Sequence, residues 1–287
     1  MTATAIVLDG IVLGLRFGLL AAGLTLVYGL GGVLNLAYGQ MAVISAMVTL
    51  FSIDAGVPIL AAVAIGLLAG GLLGLIFDLT ILRPIYRRQG EARVLLSLLL
   101  TLGVAFIVDG FLTWRYPFEG LRLQIGGGPI DVLGVPMPRG SIVGAIVILV
   151  IFGLLLAFLR ATSLGRAVRS VIEDEEGARL VGVDPSLMLR IILVLSGVLA
   201  AIVAMTQSML RPVNVTAGFE ITVLALIVTV VGGLGSVTGA FLAGLILGVI
   251  STVATSQIGT FLSLIILLVA AAITILIRPS GLLGVKE

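Results

Sequence analysis

Long apolar runs separated by short polar segments are the dominant pattern along this chain. Eight runs approach or exceed the length that a helix needs to cross about 30 Å of hydrocarbon. They cover residues 6–28, 33–52, 57–82, 94–113, 141–159, 187–209, 221–250 and 258–277. The short alternating segments of a membrane β-barrel are absent. The pattern predicts an all-α polytopic membrane protein, with about eight transmembrane helices in one domain that spans residues 1–287.

Two of the apolar regions contain a glycine-rich interruption. One is "YGLGGVLNLAYGQ" (28–40) and the other is "VVGGLGSVTGA" (230–240), and glycine weakens a helix. Matching the glycine pair at 31–32 with the pair at 232–233 indicates two related halves around a central pair of spans. Paired interruptions favour a transport pathway, whereas two unrelated helix contacts explain the same glycines equally well.

Arginine placement predicts the orientation in the membrane. Segment 83–93 carries four Arg and segment 160–190 carries five, and short Arg-rich loops stay in the cytoplasm. Segment 114–140 then lies outside as an external loop, and so does the N-terminus. If run 221–250 is broken at its glycines, as we expect, the tail "RPSGLLGVKE" is cytoplasmic.

The cytoplasmic segment 160–190 is unusually polar for this chain. It holds ten charged residues of a total of 16 basic and 14 acidic ones. We expect one amphipathic helix over residues 164–181, with an apolar stripe formed by Leu164, Val168, Val171 and Ile172. Gly182 ends this helix, and Asp184 with Pro185 begins the next one. The stripe favours a protein partner, while a solvated connector is the alternative.

Composition supports the membrane class and excludes several kinds of chemistry. Hydrophobic residues make up 60% and charged residues 10% of the chain, and the mean hydropathy is +1.33. The chain has no Cys and no His, which removes the usual zinc ligands and the commonest proton shuttle. The net charge of +2 does not indicate a nucleic-acid partner. Arg16 is the one charge expected at depth, where snorkelling outward or pairing with Asp9 is favoured over a role in transport.

Small residues spaced four apart predict close helix packing. Gly66, Gly70 and Gly74 follow this spacing, which lets membrane helices approach closely.

Four segments resemble the branched-chain amino acid ABC-transporter permease family, in its shorter subunit type. "EGARLVG" (176–182) is similar to the Glu-Ala-Ala-x-x-x-Gly signature of bacterial importer permeases, with Gly177 at the second position. The four segments, in the order of the family, are "GLTLVYGLGGVLNLAYGQ" (23–40), "SLGRAVRSVIEDEEGARLVGVD" (163–184), "VVGGLGSVTGAFLAG" (230–244) and "RPSGLLG" (278–284). Tyr38 and Gln40 stand where the family usually has His and Glu, so the resemblance leaves the substrate open.

The resemblance implies a multi-pass protein of the bacterial inner membrane that works with several partners. These are a second homologous permease, two cytoplasmic ATPase subunits that bind ATP and Mg²⁺, and a periplasmic substrate-binding protein. A G-x-x-x-x-G-K-[ST] phosphate loop is absent from the sequence, so we expect no cofactor and no ATP hydrolysis in this chain. The residues expected to couple to the ATPase are Arg166, Arg169, Glu173, Glu176, Ala178, Arg179 and Gly182.

The substrate pathway is predicted at the two interruptions, where polar groups occur among glycines. The residues are Asn35, Tyr38 and Gln40 in one half, and Ser236 and Thr238 in the other. Asn35 either caps a broken helix or faces the conduit. Branched-chain amino acids, other small amino acids, amides and urea all fit this reading.

Two alternatives remain at this stage. An ion-coupled secondary transporter normally places acidic residues or His deep in the membrane, and here Asp78 and Asp109 lie near span ends. The other alternative is a membrane scaffold without transport activity. In the external loop, Trp114, Arg115, Glu119, Arg122 and Arg139 suit docking of a soluble partner, or the loop covers the outer mouth of the protein.

Overall fold

The computed structural model describes residues 2–88, 90–117, 120–123, 126–278 and 281–283. The helices are α1 (Ala3–Gly31), α2 (Tyr38–Asp54), α3 (Ile59–Phe77), α4 (Glu91–Arg115), α5 (Arg139–Ala161), α6 (Ser163–Glu173), α7 (Glu175–Leu180), α8 (Pro185–Ser208), α9 (Gly218–Gly232), α10 (Val237–Ile258) and α11 (Thr260–Ile277). A π-helical turn (Asp78–Leu82) extends α3, and a 3-10 turn (Ile85–Arg87) precedes α4. The short strands are β1 (Gly120–Leu121), β2 (Ile130–Val132), β3 (Val135–Met137) and β4 (Val213–Asn214).

The chain is an all-α polytopic membrane protein, as its apolar pattern predicts. Within the described residues, seven helices are long and apolar enough to cross a membrane: α1, α3 with its π-helical turn, α4, α5, α8, α10 and α11. The apolar helices α2 and α9 are shorter. The run 221–250 is divided between α9 and α10, so its glycines do break the helix.

The two ends of the bundle differ, and we call them inner and outer. The inner end carries α6, α7 and the turn before α4. An ion pair between Arg93, in the first turn of α4, and Glu175 of α7 joins these two helices. At the outer end, β1 pairs with β4 and β2 pairs with β3 in a hairpin. The inner end is the one for which the arginine pattern predicts a cytoplasmic location.

α1 and α8 form the centre of the bundle, and α3, α4, α5 and α11 lie around it. In the apolar 18-residue segment of each helix, about two thirds of the residues are buried in α1 and α8, but fewer than a third are buried in the four outer helices. Outer helices expose large apolar side chains such as Leu99 and Ile107 on α4. Such a surface suits hydrocarbon, since lipid tails solvate it as well as a protein core does.

The first interruption lies between α1 and α2 and enters the bundle. α1 ends at Gly32, whose φ of 56° is left-handed. The freed backbone is bound by hydroxyl groups of α4: Leu34 N–H donates to Ser97 Oγ (3.2 Å) and Leu36 N–H to Thr101 Oγ1 (3.0 Å). Thr101 is ten residues into α4, about 15 Å along its axis. Irregular backbone at this depth persists because protein groups satisfy it.

The second interruption, residues 233–236, joins α9 to α10. Gly233 and Gly235 both have positive φ, 105° and 90°. Gly235 N–H donates to Thr25 Oγ1 of α1 at 3.2 Å. Near the C-terminus, Leu282 N–H donates to the Val231 carbonyl at 2.9 Å. Residues 281–283 therefore lie at the inner end, as expected for a broken run 221–250.

Glycine spacing on α3 sets its distance from α8, as predicted. A Cβ placed on Gly70 would lie 2.5 Å from the Gly197 carbonyl oxygen, and one on Gly74 would contact the Leu193 carbonyl. A Cβ on Gly66 would contact Thr49 Oγ1 of α2. The absence of side chains at these three positions lets α3 pack directly on its neighbours' backbones.

A buried ion pair also joins α3 to α8 at the inner end. Arg190 Nε donates to Asp78 Oδ2 at 2.8 Å, and the Asp78 side chain is 2% exposed. Replacing Arg190 with Met leaves this carboxylate without its partner. We expect the free energy of unfolding to fall by about 2 kcal/mol. This is less than the cost of removing one partner of a fully buried ion pair, because Arg190 is one third exposed.

Chemical denaturation of the purified protein in detergent tests this expectation. The double variant Asp78→Asn, Arg190→Met should regain most of the loss, because no unpaired charge remains. Strictly additive losses in the double variant would contradict an energetic coupling between the two side chains.

Candidate functional site

The inner surface is formed by two short helices where one was predicted. The expected helix over 164–181 is broken at Asp174, which has an extended backbone (φ −154°, ψ 104°). The Asp174 side chain accepts a hydrogen bond from Glu176 N–H at 3.0 Å and so caps α7. The prediction of a single helix is therefore wrong, because the aspartate stabilises a helix start better than a helix interior.

The C-terminal side of α7 follows the sequence prediction. Gly182 has a φ of 88°, and Val183 N–H donates to the Ala178 carbonyl at 2.9 Å, which closes the helix as a left-handed glycine cap does. Asp184 then caps α8 through Ser186 N–H at 2.9 Å.

The apolar stripe of α6 faces the chain's own bundle. Val168 and Val171 are buried in the main hydrophobic core, where α6 packs against α5 and α8. Half-buried Ile172 packs against the same core, and Leu164 remains 45% exposed. The expectation that this stripe needs a separate partner is therefore wrong for its two central residues.

The exposed apolar surface at the inner end lies instead at the end of α7. Leu180 is 89% exposed and Val181 is 78% exposed, next to the left-handed Gly182. Two adjacent exposed aliphatic side chains outside the membrane-spanning helices are a candidate contact for a partner protein.

The predicted coupling residues occupy two environments. Ala178 is buried at the contact between α7 and the bundle. The other six are exposed at the inner surface: Arg166, Arg169, Glu173, Glu176, Arg179 and Gly182. Their role in contacting an ATPase stays a prediction, and the arrangement leaves these six accessible to one.

Arg93 connects α7 to the first interruption, a link that no sequence pattern indicated. Its guanidinium donates from Nη1 to Glu175 Oε2 (3.1 Å) and to the Gly31 carbonyl (3.2 Å). It also donates from Nε to the Arg88 carbonyl and from Nη2 to the Tyr86 carbonyl. One side chain therefore joins α7, the end of α1 and the turn before α4. Burial and the nearby Asp78 raise the pKa of Tyr86, so its phenol is neutral.

The predicted pathway residues of the first interruption are buried deep in the bundle. Asn35 Oδ1 accepts from Ala37 N–H at 3.0 Å, so the amide holds the turn that starts α2. The amide of Gln40 has no hydrogen-bond partner among the described residues, and the hydroxyl of Tyr38 has the Ser196 hydroxyl beside it. An unpartnered amide is costly in a membrane protein's core, which is why Gln40 is a candidate contact for substrate.

The residues predicted at the second interruption lie apart from this group, at the inner end. Ser236 Oγ accepts from Gly239 N–H at 3.1 Å and caps α10, and Thr238 is exposed. The structure does not bring the two predicted groups together. Their assignment to a pathway stays a prediction.

Two adjoining cavities open at the outer end. One, of about 410 Å³, lies among α1, α8, α9, α10 and α11. The other, of about 720 Å³, lies beside the β2–β3 hairpin. Arg16 and Arg211 line both of them. Sequence patterns could not reveal these cavities, because their walls come from helices far apart in the chain.

The external loop is more ordered than its composition suggests. Trp114 and Arg115 belong to the last turn of α4, and Arg139 is the first residue of α5. Arg139 Nε donates to the Gly128 carbonyl at 2.9 Å, while Arg122 is exposed. The predicted Glu119 lies outside the described residues. Partner docking by this loop stays a prediction.

The apolar bundle, its two glycine interruptions and the exposed helices at the inner end define a polytopic membrane protein. Residues 6–277 match the family model described as "Branched-chain amino acid transport system / permease component". The chain therefore belongs to this permease family, which confirms the resemblance found in its motifs.

Curated relatives agree with the family and cover nearly the full chain. LivH of Salmonella typhimurium (strain LT2), a high-affinity branched-chain amino acid transport system permease protein, is 27% identical over 97% of this chain and 94% of the relative. BraD of Pseudomonas aeruginosa, described in the same words, is 28% identical over 97% of this chain and 95% of its own. The fructose import permease protein FruF of Bifidobacterium longum is 28% identical over 82% of this chain and 65% of its own.

Among solved structures, one chain of "PsaBC from Streptococcus pneumoniae in complex with Fab" is similar to this protein. The TM-score is 0.46 and the sequence identity 14%, over 94% of this chain and 89% of that one.

Proposed function

We propose that this chain is a membrane-spanning permease subunit of an ATP-driven importer of branched-chain amino acids in a bacterial inner membrane. The family match over residues 6–277 carries the proposal. The names of LivH and BraD supply the substrate class. In such a system a second permease completes the conduit, two ATPases bind at the inner end, and a periplasmic protein delivers the substrate.

The inner surface supports the coupling part of the proposal. The end of α7 exposes Leu180 and Val181, flanked by the charged residues Arg179 and Asp184. An apolar contact with a polar rim is the usual composition of a protein interface. Movement of an ATPase docked here would act on α7, and through Arg93 on the end of α1.

The first interruption supports the pathway part of the proposal. The hydroxyl of Tyr38 and the unpartnered amide of Gln40 are buried in this conformation. A rigid-body shift of helices that opened this region would offer hydroxyl and amide groups to a passing substrate. Weak contacts of this kind suit a conduit, which must release what it admits.

The substrate has one specific alternative, a sugar, because FruF is described as a fructose import permease. The proposed energy source, ATP, also has one alternative, an ion gradient. Within the described residues, however, the most buried carboxylate, Asp78, is paired with Arg190, so it is poorly placed to bind a coupling ion.

Uptake by vesicles that contain the full complex tests the proposal. The permeases and ATPases are reconstituted with ATP inside and binding protein outside, and labelled leucine, fructose and urea are compared. We expect leucine uptake that requires ATP and survives ionophores. Uptake driven by an ion gradient without ATP would contradict an ABC importer. ATP-dependent uptake of fructose in place of leucine would contradict the substrate assignment.

Gly182 offers a test of the coupling surface by itself. A Cβ at this position meets no atom within 4 Å, so Gly182→Val strains only the backbone, by about 1–3 kcal/mol. We expect the end of α7 to be displaced and leucine-stimulated ATP hydrolysis to fall severalfold, with normal membrane insertion. Gly182→Asn is the matched control, because asparagine tolerates positive φ. Full stimulated ATPase activity in Gly182→Val would show that this turn is not part of the coupling surface.

A further inference from the structure

The outer cavity of about 410 Å³ has an uneven distribution of polar and apolar groups. Phe17, Leu20 and Leu267 supply apolar wall, while Ser251 and Ser263 supply hydroxyl groups. Exposed Arg211 and Glu220 also line the cavity. Further hydroxyl groups of α10 and α11 line the cavity as well, so a concave space of a few hundred cubic ångströms here combines apolar wall with many polar groups, and ligand pockets have the same size and both kinds of group.

Arg16 is the deepest charged group of this cavity. Its residue is 4% exposed, and its Nε and Nη2 have no hydrogen-bond partner among the described residues. Pairing with Asp9 was one of the alternatives that the sequence left open. Asp9 and Arg16 both line the neighbouring cavity, but none of the three ion pairs found in the described part of the chain includes Arg16.

An unpaired guanidinium inside a membrane bundle is expensive, and a protein gains no stability from it. Gly144 of α5 packs beside it: a Cβ there would lie 3.6 Å from Arg16 Nη2, an ordinary contact distance. The cation is therefore accommodated by its surroundings without being neutralised by them. An anion that entered the cavity would supply the partner that the described residues do not.

We propose that this cavity binds a small zwitterion from the outer side, with its carboxylate on Arg16 and its ammonium towards Glu220. The planar fork of an arginine matches a carboxylate with two hydrogen bonds. Glu220 supplies the negative charge that an ammonium group needs, and the apolar wall accepts an aliphatic side chain. The ligand assignment rests on the proposed function, in which the transported molecule is an amino acid; the anion site at Arg16 does not depend on it.

Binding of leucine and of two truncated analogues tests the site. The full permease complex is placed in phosphatidylcholine nanodiscs, without binding protein, and thermal stabilisation is measured up to the solubility limit of each probe. The probes are L-leucine, 4-methylpentanoate, which lacks the ammonium, and 3-methylbutylamine, which lacks the carboxylate. We expect leucine to stabilise most, 4-methylpentanoate less, and the amine not at all.

Variants separate a ligand role from a structural one. Arg16→Gln should weaken leucine binding about tenfold or more, the effect of losing a charge-assisted hydrogen bond. The ligand-free variant should melt at the same temperature or higher, since it no longer buries an unpaired charge. Glu220→Gln should reduce the difference between the thermal stabilisation by leucine and that by 4-methylpentanoate. Arg160→Gln is the control, because Arg160 is an exposed arginine at the inner end of α5 and does not line this cavity.

Three results would overturn the proposal. One is the absence of leucine stabilisation in the wild type, and another is unchanged binding in Arg16→Gln. The third is Arg16-dependent stabilisation by phosphatidylglycerol in the nanodisc in place of leucine, which would identify the anion as a lipid phosphate.

This test is independent of the uptake assay. If the complex takes up leucine and Arg16→Gln binds leucine as well as the wild type does, the proposed site is wrong and the proposed importer function is unaffected. Arg16-dependent leucine binding without ATP-driven uptake would do the reverse.

Discussion

Replacing Gly244 with Leu should prevent α10 from packing on α1 and should abolish most of the folded protein. A Cβ at Gly244 would contact the backbone of Gly18, and one at Gly248 would contact the backbone of Gly14. The space for a side chain is occupied by main chain, which cannot move aside as a flexible side chain could. Overpacking commonly costs about 1–3 kcal/mol and occasionally more, and we expect at least the upper value here.

Gly103 provides the matched control for this substitution. It also lies within a transmembrane helix, α4, but a Cβ there meets nothing within 4 Å. Gly103→Leu should therefore leave the yield of monodisperse protein and its melting temperature nearly unchanged. Both variants can be compared by size-exclusion chromatography of heated, detergent-solubilised samples. Equal behaviour of the two leucine variants would contradict a close backbone contact between α1 and α10.

Glycine spacing shows how far the sequence can predict helix packing. The four-residue spacing at 66, 70 and 74 predicted a smooth face on α3, and this face does meet other helices closely. The same spacing occurs at 10, 14 and 18 on α1. Glycine spacing identifies a helix face without side chains, but not the helix that packs on it, because the neighbouring helix depends on the packing of the whole bundle. The contact of α1 with α10 joins segments more than 200 residues apart.

The two interruptions were predicted, but their stabilising partners were not. Glycine content locates a break, since glycine weakens a helix wherever it lies. The hydroxyl groups that bind the freed backbone at the first break belong to Ser97 and Thr101. In the sequence these residues look like ordinary polar positions of an apolar helix, which usually bond to the carbonyl four residues earlier. Their second role depends on how close α4 lies to residues 34–36.

The inner surface shows a second limit of prediction from the sequence, the division of a polar segment into helices. Residues 164–181 have a helical pattern of apolar positions, and that pattern did not reveal the break at Asp174. The competing signal was local: an aspartate that caps the following turn. The run of four acidic residues, 173–176, hid this signal, because each of them could have been an ordinary exposed helix position. The sequence therefore located the polar segment correctly but not its division into two helices.

Arg16 and Arg93 were beyond the reach of sequence patterns for a common reason. The surroundings of a charge in a membrane protein decide its role, and those surroundings come from distant segments. Arg16 has no ion pair within the described residues, although Asp9 lies about two turns earlier on the same helix and lines one of the same cavities. Arg93 is paired because α7, 82 residues later, returns to the start of α4.

Removing the ion pair between Arg93 and Glu175 should uncouple ATP hydrolysis from transport in the assembled complex. This pair is the direct polar link between α7, where we propose that the ATPase docks, and the guanidinium that also holds the Gly31 carbonyl beside the first interruption. Arg93 is only 13% exposed at its side chain, so solvent weakens the pair less than it would a surface pair. Coupling between two sites is typically 1–3 kcal/mol, or about 5- to 150-fold, and we expect leucine transported per ATP to fall about tenfold.

Two substitutions separate loss of coupling from loss of stability. Arg93→Met removes the donor to three backbone carbonyls as well as the ion pair, so it should lower both the melting temperature and the coupling. Glu175→Gln removes the ion pairs of Glu175 with Arg93 and with the exposed Arg179 but leaves those carbonyl contacts of Arg93 in place, so it should lower the coupling with little change in melting temperature. Glu91→Gln is the control, since Glu91 is exposed in the same first turn of α4 and has no ion pair within the described residues. If Glu175→Gln complexes transport the wild-type amount of leucine per ATP, the signal from α7 reaches the first interruption by packing contacts and not through Arg93.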